Sequence, residues 1–211
     1  MPEQYWGQQR TSAHIIMDII LASTSPFRQA LMKRFGFQFS VKAPLFDEQS
    51  YKSEHPNLSP EKMVSELARL KGQSLLESHP HSVVISADQV ATLNHEILNK
   101  PATAEKNIEL LKKLSGESHF LLTSFCVFYQ AKLWAQHLNT THVRFQNLSE
   151  SKIKSYVQRD EPWMCAGGYK IEKSGLSLIE KIETSDPSAI EGLPMMKLCQ
   201  ILEEIELSRK A

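Results

Sequence analysis

Ser23, Ser25 and Arg28 stand in "LASTSPFRQALM", where an apolar run gives way to a helix opened by Pro26. Backbone N–H groups at a helix start, two hydroxyls and a guanidinium can together hold a phosphate. The same residues also make a simple capped helix, and spacing alone leaves both readings open. The glycines and the GK[ST] ending of a Walker loop are absent. Asp47 and Glu48 are adjacent acids which, taken by themselves, are a solvated pair. Asp88 stands at the end of "SVVISADQ", where a carboxylate can bind a hard cation or act as a general base, or serve as a hydrogen-bonded structural aspartate. Lys100 in "NKP" puts a cation in a turn. Lys71 falls on the apolar stripe of a helix, from which it either snorkels outward or points its ammonium into a cleft. Phe27, in the middle of the polar turn, is either a core anchor for the new helix or a surface for a flat ring. Acids for a divalent ion beside cations for phosphates suit phosphoryl or nucleotidyl hydrolysis, where positioning and charge neutralisation supply most of the rate. No GxSxG is present, and none of Cys126, Cys165 and Cys199 sits in a nucleophile setting.

The elements that must position these residues alternate short apolar runs with amphipathic segments, the pattern of an α/β domain. "IILA" predicts a buried strand, and Ser25–Pro26 predict a cap and first turn for a helix reaching about Phe35. "FQFSVKAP" reads as a strand and "DEQSYKSEHPN" as a polar loop. Ser59–Pro60 open a longer helix whose stripe runs through Val64, Leu67, Ala68 and Leu75. "SVVISADQ" predicts a strand that stops at Asp88, and "EILNKPATAEKNIELLKKLSG" a turn and a helix. "FLLTSFCVFY" and "LWAQHLNTTHVRF" predict long antiparallel strands, "LSESKIKSYVQR" a helix capped by Ser149, "AGGYKIE" and "LSLIEKIE" strands, and "PMMKLCQILEEIE" a closing helix with Pro194 in its first turn.

With 211 residues the chain can build one sizeable core or two lobes sharing a cleft. Lys+Arg and Asp+Glu number 24 each, so no overall field draws the chain to nucleic acid or a membrane surface. No apolar run reaches the roughly 18 residues of a membrane span. Three widely spaced cysteines without a CxxC pair predict buried free thiols in a reducing, cytoplasmic compartment rather than a zinc site. "MPEQYWGQQRTSAHII" is polar and Gln-rich and lacks the apolar core of a signal peptide. Because Met17 directly precedes "DIILAS", residues 1–16 are expected to be an extension outside a single domain spanning residues 17–208, with Met17 an alternative start.

"LASTSPFR", "ISADQ", "NKP", "LKKLSGESH", "CAGGYKIE" and "EGLP" occur in the order and approximate spacing of the Maf family, which the chain resembles from Asp18 to Leu207. The resemblance implies an elongated mixed β-sheet flanked by helices, of the Maf/ITPase-like α/β class. Two lobes would surround a deep nucleotide cleft, often in a homodimer. It implies hydrolysis of a nucleoside triphosphate to the monophosphate and pyrophosphate. Position by position, it makes Asp88 the proton acceptor for the attacking water, and Glu48 with Asp88 the ligands of a divalent cation, Mg²⁺ or Mn²⁺. Ser23, Arg28, Lys71 and Lys100 become ligands of the triphosphate.

Three departures bear on the base. Where thymidine/uridine-type members carry "SPRR", "ADT" and "AYGIQG", this chain has "SPFR", "ADQ" and "GYKIEK", placing Phe27, Gln89 and Glu172 at the base end of the family's pocket. These look like the branch that hydrolyses 7-methyl-GTP. A cationic methylated ring stacks on an aromatic face with roughly 0.5–2 kcal/mol. Glu172 can accept hydrogen bonds from guanine N1–H and the exocyclic amine, and an arginine at position 27 would repel such a base. The alternatives are a UTP/dTTP pyrophosphatase of the same family, or a non-catalytic nucleotide-binding regulator of cell division.

Overall fold

The run Ile19–Ala22 is wholly buried and forms strand β1, at the centre of the first half of the sheet. This computed structural model describes residues 17–210, so the extension expected at residues 1–16 lies outside the described residues. Helix α1, Pro26–Arg34, follows with Ser25 as its N-cap and Pro26 in its first turn, the predicted start. A short β2, Ser40–Val41, pairs parallel with β1. Helix α2, Glu48–Glu54, occupies a segment read from sequence as a loop. It buries no side chain, so no apolar stripe announced it; the Asp47 cap and the Glu48–Lys52 pair one turn apart hold it locally. Helix α3, Pro60–Gln73, buries Met63, Val64, Leu67 and Ala68 against the sheet.

Strand β3, Val83–Leu93, corrects the expected stop at Asp88: it runs straight through Asp88 for another five residues, held along that length by antiparallel β5, Ser118–Tyr129. On its other edge β3 changes partners. Residues 83–86 pair parallel with β1, and residues 91–93 pair antiparallel with β4, Glu96–Leu98. Residues 87–90, which include Asp88 and Gln89, have neither neighbour on that edge. Strand β6, Lys132–Phe145, and β7, Ile179–Glu183, complete the seven-stranded order β2-β1-β3-β5-β6-β7, with β4 on β3. Helices α4, Ala104–Leu114, α5, Glu150–Asp160 capped by Ser149, and α6, Met195–Ser208 with Pro194 at its N-cap, cover the faces.

The two largest of four buried clusters follow this division of β3. Ile19, Leu21, Leu31, Ile85, Phe125 and the buried face of α6 make one; Ala91, Leu93, Leu111, Phe145, Tyr156 and Leu178 make the other. The result is the expected α/β architecture with two lobes, and the gap at residues 87–90 lies at their junction. "AGGYKIE" is not a strand. Gly167 and Gly168 both sit at φ +70°, a region that side chains avoid, and turn the chain back toward the cleft. Of the three thiols, only Cys126 is buried; Cys165 and Cys199 are half-buried. Among the described residues no helix is long and apolar enough to cross a membrane.

The second core contains His119, fully buried between Phe145 and Tyr169, with Nε2 3.0 Å from the Tyr169 hydroxyl and Nδ1 unpartnered. Burial, with a smaller effect from His142, lowers its pKa to about 4. The unfolded chain therefore takes up a proton near pH 6.5 that the folded protein refuses. Stability should be unaffected above that pH and fall below it, by about 3 kcal/mol at pH 4 from this residue. Urea midpoints measured across this range should decline in the parent protein and be flatter in His119→Phe, which keeps the ring packing but cannot titrate.

Candidate active site

The cleft between the lobes has a volume of about 1220 Å³, and all nine site residues predicted from sequence line it. Those from the first lobe stand where β1 ends and β3 continues, beyond the carboxyl end of a strand, as ligand sites in α/β sheets do.

Its floor is a charge cluster. Lys71 Nζ lies 2.6 Å from Glu48 Oε2 and 2.5 Å from Asp88 Oδ1, and its side chain is only 14% exposed. The helical stripe therefore aims Lys71 inward; it does not snorkel. Gly72 makes this possible, because any Cβ there would collide with the Phe128 ring and Ser86 Oγ, and its absence lets α3 press close to β3. Asp88 is buried, and its second oxygen has no hydrogen-bond partner. Burial opposes ionisation of Glu48, but Lys71 and Lys52 outweigh it and bring its pKa down to about 2. Asp47, the neighbouring acid, is occupied capping α2 through Gln49 and Ser50, so Glu48 alone of the pair faces the cleft.

Arg28 forms the second cationic group. Its Nη1 donates to Ser23 Oγ at 3.2 Å and its Nε to the Gly192 carbonyl at 2.8 Å. This fixes the guanidinium while leaving donors for an anion. Desolvation lowers its pKa from the ordinary value, partly offset by Asp88 and Glu48. Lys100, exposed on the loop after β4, faces the cleft from the other lobe, close to Cys165.

Phe27 is half-buried, lines the cleft, and belongs to none of the buried apolar clusters. Gln89 also lines the cleft, but its amide nitrogen is engaged, donating to Thr123 Oγ1 at 2.8 Å and to the Ala189 carbonyl at 2.9 Å. Only its carbonyl oxygen is left for a ligand. Glu172 arrives on the segment after Gly168. That segment is lashed down by Asn107 Nδ2 donating to the Gly168 carbonyl, by the Lys170 N–H donating to Tyr156, and by the Ser174 N–H and hydroxyl donating to Asp160. Glu172 is exposed at the surface of the cleft, but partial desolvation of its carboxylate, with Glu191 adding to it, raises its pKa.

Sequence reasoning missed two contributors. Glu191, inside the "EGLP" motif, lines the same cleft and pairs with Arg34, and the neighbouring Gly192 carbonyl anchors Arg28. The motif was visible, but its role was not, because both contacts span more than 150 residues of sequence.

Residues 18–205 match the family described as Maf-like protein. Among curated proteins, the 7-methyl-GTP pyrophosphatase of Bdellovibrio bacteriovorus is 41% identical over 189 residues, covering 90% of this chain and 97% of that protein. The 7-methyl-GTP pyrophosphatase of Nitrosococcus oceani is 36% identical over 187 residues, 88% of this chain and 92% of that protein. Among solved structures, the Ham1 protein of Staphylococcus aureus aligns with a TM-score of 0.41 at 17% identity, over 75% of this chain and 89% of that one.

Proposed function

The chain belongs to the Maf family, and from that premise we propose that it hydrolyses 7-methyl-GTP to 7-methyl-GMP and pyrophosphate. The observation that carries the reading is the Glu48–Lys71–Asp88 cluster at the floor of a cleft whose base end presents Phe27 and Glu172. The name shared by the curated relatives supports the same substrate.

Glu48 and Asp88 fit a divalent cation, Mg²⁺ or Mn²⁺. Two carboxylates are close enough to share one ammonium, one of them has a buried and unpartnered oxygen, and together they would hold such a hard cation through oxygen alone. Among the described residues no group of three or more His, Cys, Asp or Glu side chains could hold an ion. Such an ion, when bound, would supply Lewis-acid polarisation of a phosphate and charge neutralisation for a departing pyrophosphate.

The chain's own residues do the rest. Asp88 takes a proton from a water as its oxygen attacks the α-phosphorus, and the bond from that phosphorus to the oxygen bridging to the β-phosphorus breaks. Arg28 and Ser23 hold the phosphates at the helix start, while Lys71 and Lys100 neutralise charge on the leaving pyrophosphate. Phe27 stacks on the cationic base, Glu172 accepts its N–H groups, and the Gln89 oxygen faces the same end. A cytoplasmic homodimer belongs to the same reading, on the family resemblance. UTP or dTTP as the preferred substrate is the second reading; it rests on shared chemistry and lacks a use for Glu172 beside uracil's carbonyls.

A panel of triphosphates with Mg²⁺ or Mn²⁺ tests this. 7-Methyl-GTP should turn over faster than UTP, dTTP or GTP, and faster turnover of UTP would overturn the substrate. Absence of pyrophosphate release from every triphosphate would favour a nucleotide-binding regulator. In the same panel, Phe27→Arg should lower the preference for 7-methyl-GTP roughly tenfold, by loss of stacking and addition of a like charge, while leaving hydrolysis measurable.

A further inference from the structure

We propose that Glu191 is a second specificity-determining residue, which together with Glu172 makes the base end of the cleft select a base carrying a fixed positive charge. The inference rests on the pyrophosphatase reading above.

Glu191 ends the 3-10 turn Pro187–Glu191, and both sides of that turn are clamped. Gln89 Nε2 and Thr123 Oγ1 donate to the Ala189 carbonyl, at 2.9 and 3.1 Å, and Arg28 Nε donates to the Gly192 carbonyl at 2.8 Å. Residues already placed in the cleft thus fix the backbone on either side of Glu191. The amide nitrogen of Gln89 braces the turn.

Glu172 and Glu191, with Ile171 and Ile190, also line a second hollow of about 600 Å³. They therefore form the wall between the two spaces. Arg34 lines only the second hollow and reaches Glu191 from behind, Nη2 to Oε1 at 2.6 Å, with 58% of its side chain exposed against 20% for Glu191. An exposed arginine in water neutralises its partner incompletely, so the cleft side of the wall keeps negative character. Nearby cations offset it only in part: Lys170 and Lys173 both act on Glu172, but Lys170 Nζ is turned to the carbonyls of Asp160 and Glu161, and Lys173 is exposed. A neutral guanine gains little from such a wall. An N7-methylated guanine carries its charge on the ring and gains from both carboxylates.

The test compares kcat/KM for 7-methyl-GTP and GTP in the parent, Glu191→Gln and Arg34→Gln proteins. Glu191→Gln should lower the ratio roughly fivefold, through a rise in KM for 7-methyl-GTP more than through kcat. Arg34→Gln lies outside the cleft and removes the opposing charge, so it should raise the ratio about twofold. High salt should reduce the parent ratio more than that of Glu191→Gln. A parent protein without preference for 7-methyl-GTP would overturn the function itself. A parent preference that Glu191→Gln leaves intact would overturn this inference alone. Shifts in the same direction for both variants would overturn the charge argument, since Arg34 would then serve only to hold Glu191 in place.

Discussion

Asp88→Asn should lower turnover of 7-methyl-GTP by about three orders of magnitude and leave nucleotide binding largely in place. The amide has the same size, so β3 and its pairing with Ser124 need not change. Lys71 still has Glu48 at 2.6 Å, so the lysine is not left alone in the cleft. What disappears is the proposed proton acceptor and one negative oxygen set. Pyrophosphate release measured beside calorimetric binding of a non-hydrolysable 7-methyl-GTP analogue separates the two effects. Turnover within tenfold of the parent would remove Asp88 from the role of base.

Lys71→Met should show the second large effect, in two readouts. Turnover should fall by roughly 100-fold or more, because the cation proposed to offset charge on the leaving group is gone. Without ligand, Glu48 and Asp88 would face each other with no ammonium between them, and breaking such a partly buried cluster should cost about 1–3 kcal/mol. Added Mn²⁺ should then restore thermal stability and bind the free variant more tightly than the parent, since the lysine no longer competes for the two carboxylates. Calorimetry and melting curves with and without Mn²⁺ check this independently of activity. A variant that melts and hydrolyses like the parent would show that the ion pairs carry no weight.

Much of the fold was legible because its signals are local. Ser25–Pro26, Ser59–Pro60 and Ser149 mark helix starts by supplying an acceptor to orphan N–H groups, and each helix begins there. The misreadings have local causes too. A polar residue after "SVVISA" imitates a strand end, but Asp88 and Gln89 lie opposite Ser124 and Thr123 of β5, which holds the strand in line. "AGGYKIE" has the composition of a strand, yet its glycines turn, and Asn107 and Tyr156 pin the turn from two distant helices.

Of the site, the residue types and their order were readable, and with them the family resemblance and the chemistry of acids beside cations. Sequence by itself determined that Ser23, Arg28, Glu48, Lys71, Asp88 and Lys100 are present in the order of the family motifs, and that Phe27 and Glu172 stand where the resemblance puts the base. Only tertiary structure decided that Lys71 turns inward to bridge two carboxylates, that Gln89 spends its nitrogen on the protein, and that Glu191 joins the wall. Caps and stripes are encoded within a turn or two of helix. Charge clusters form from groups that the chain brings together only when β3 changes partners and two cores close around the gap.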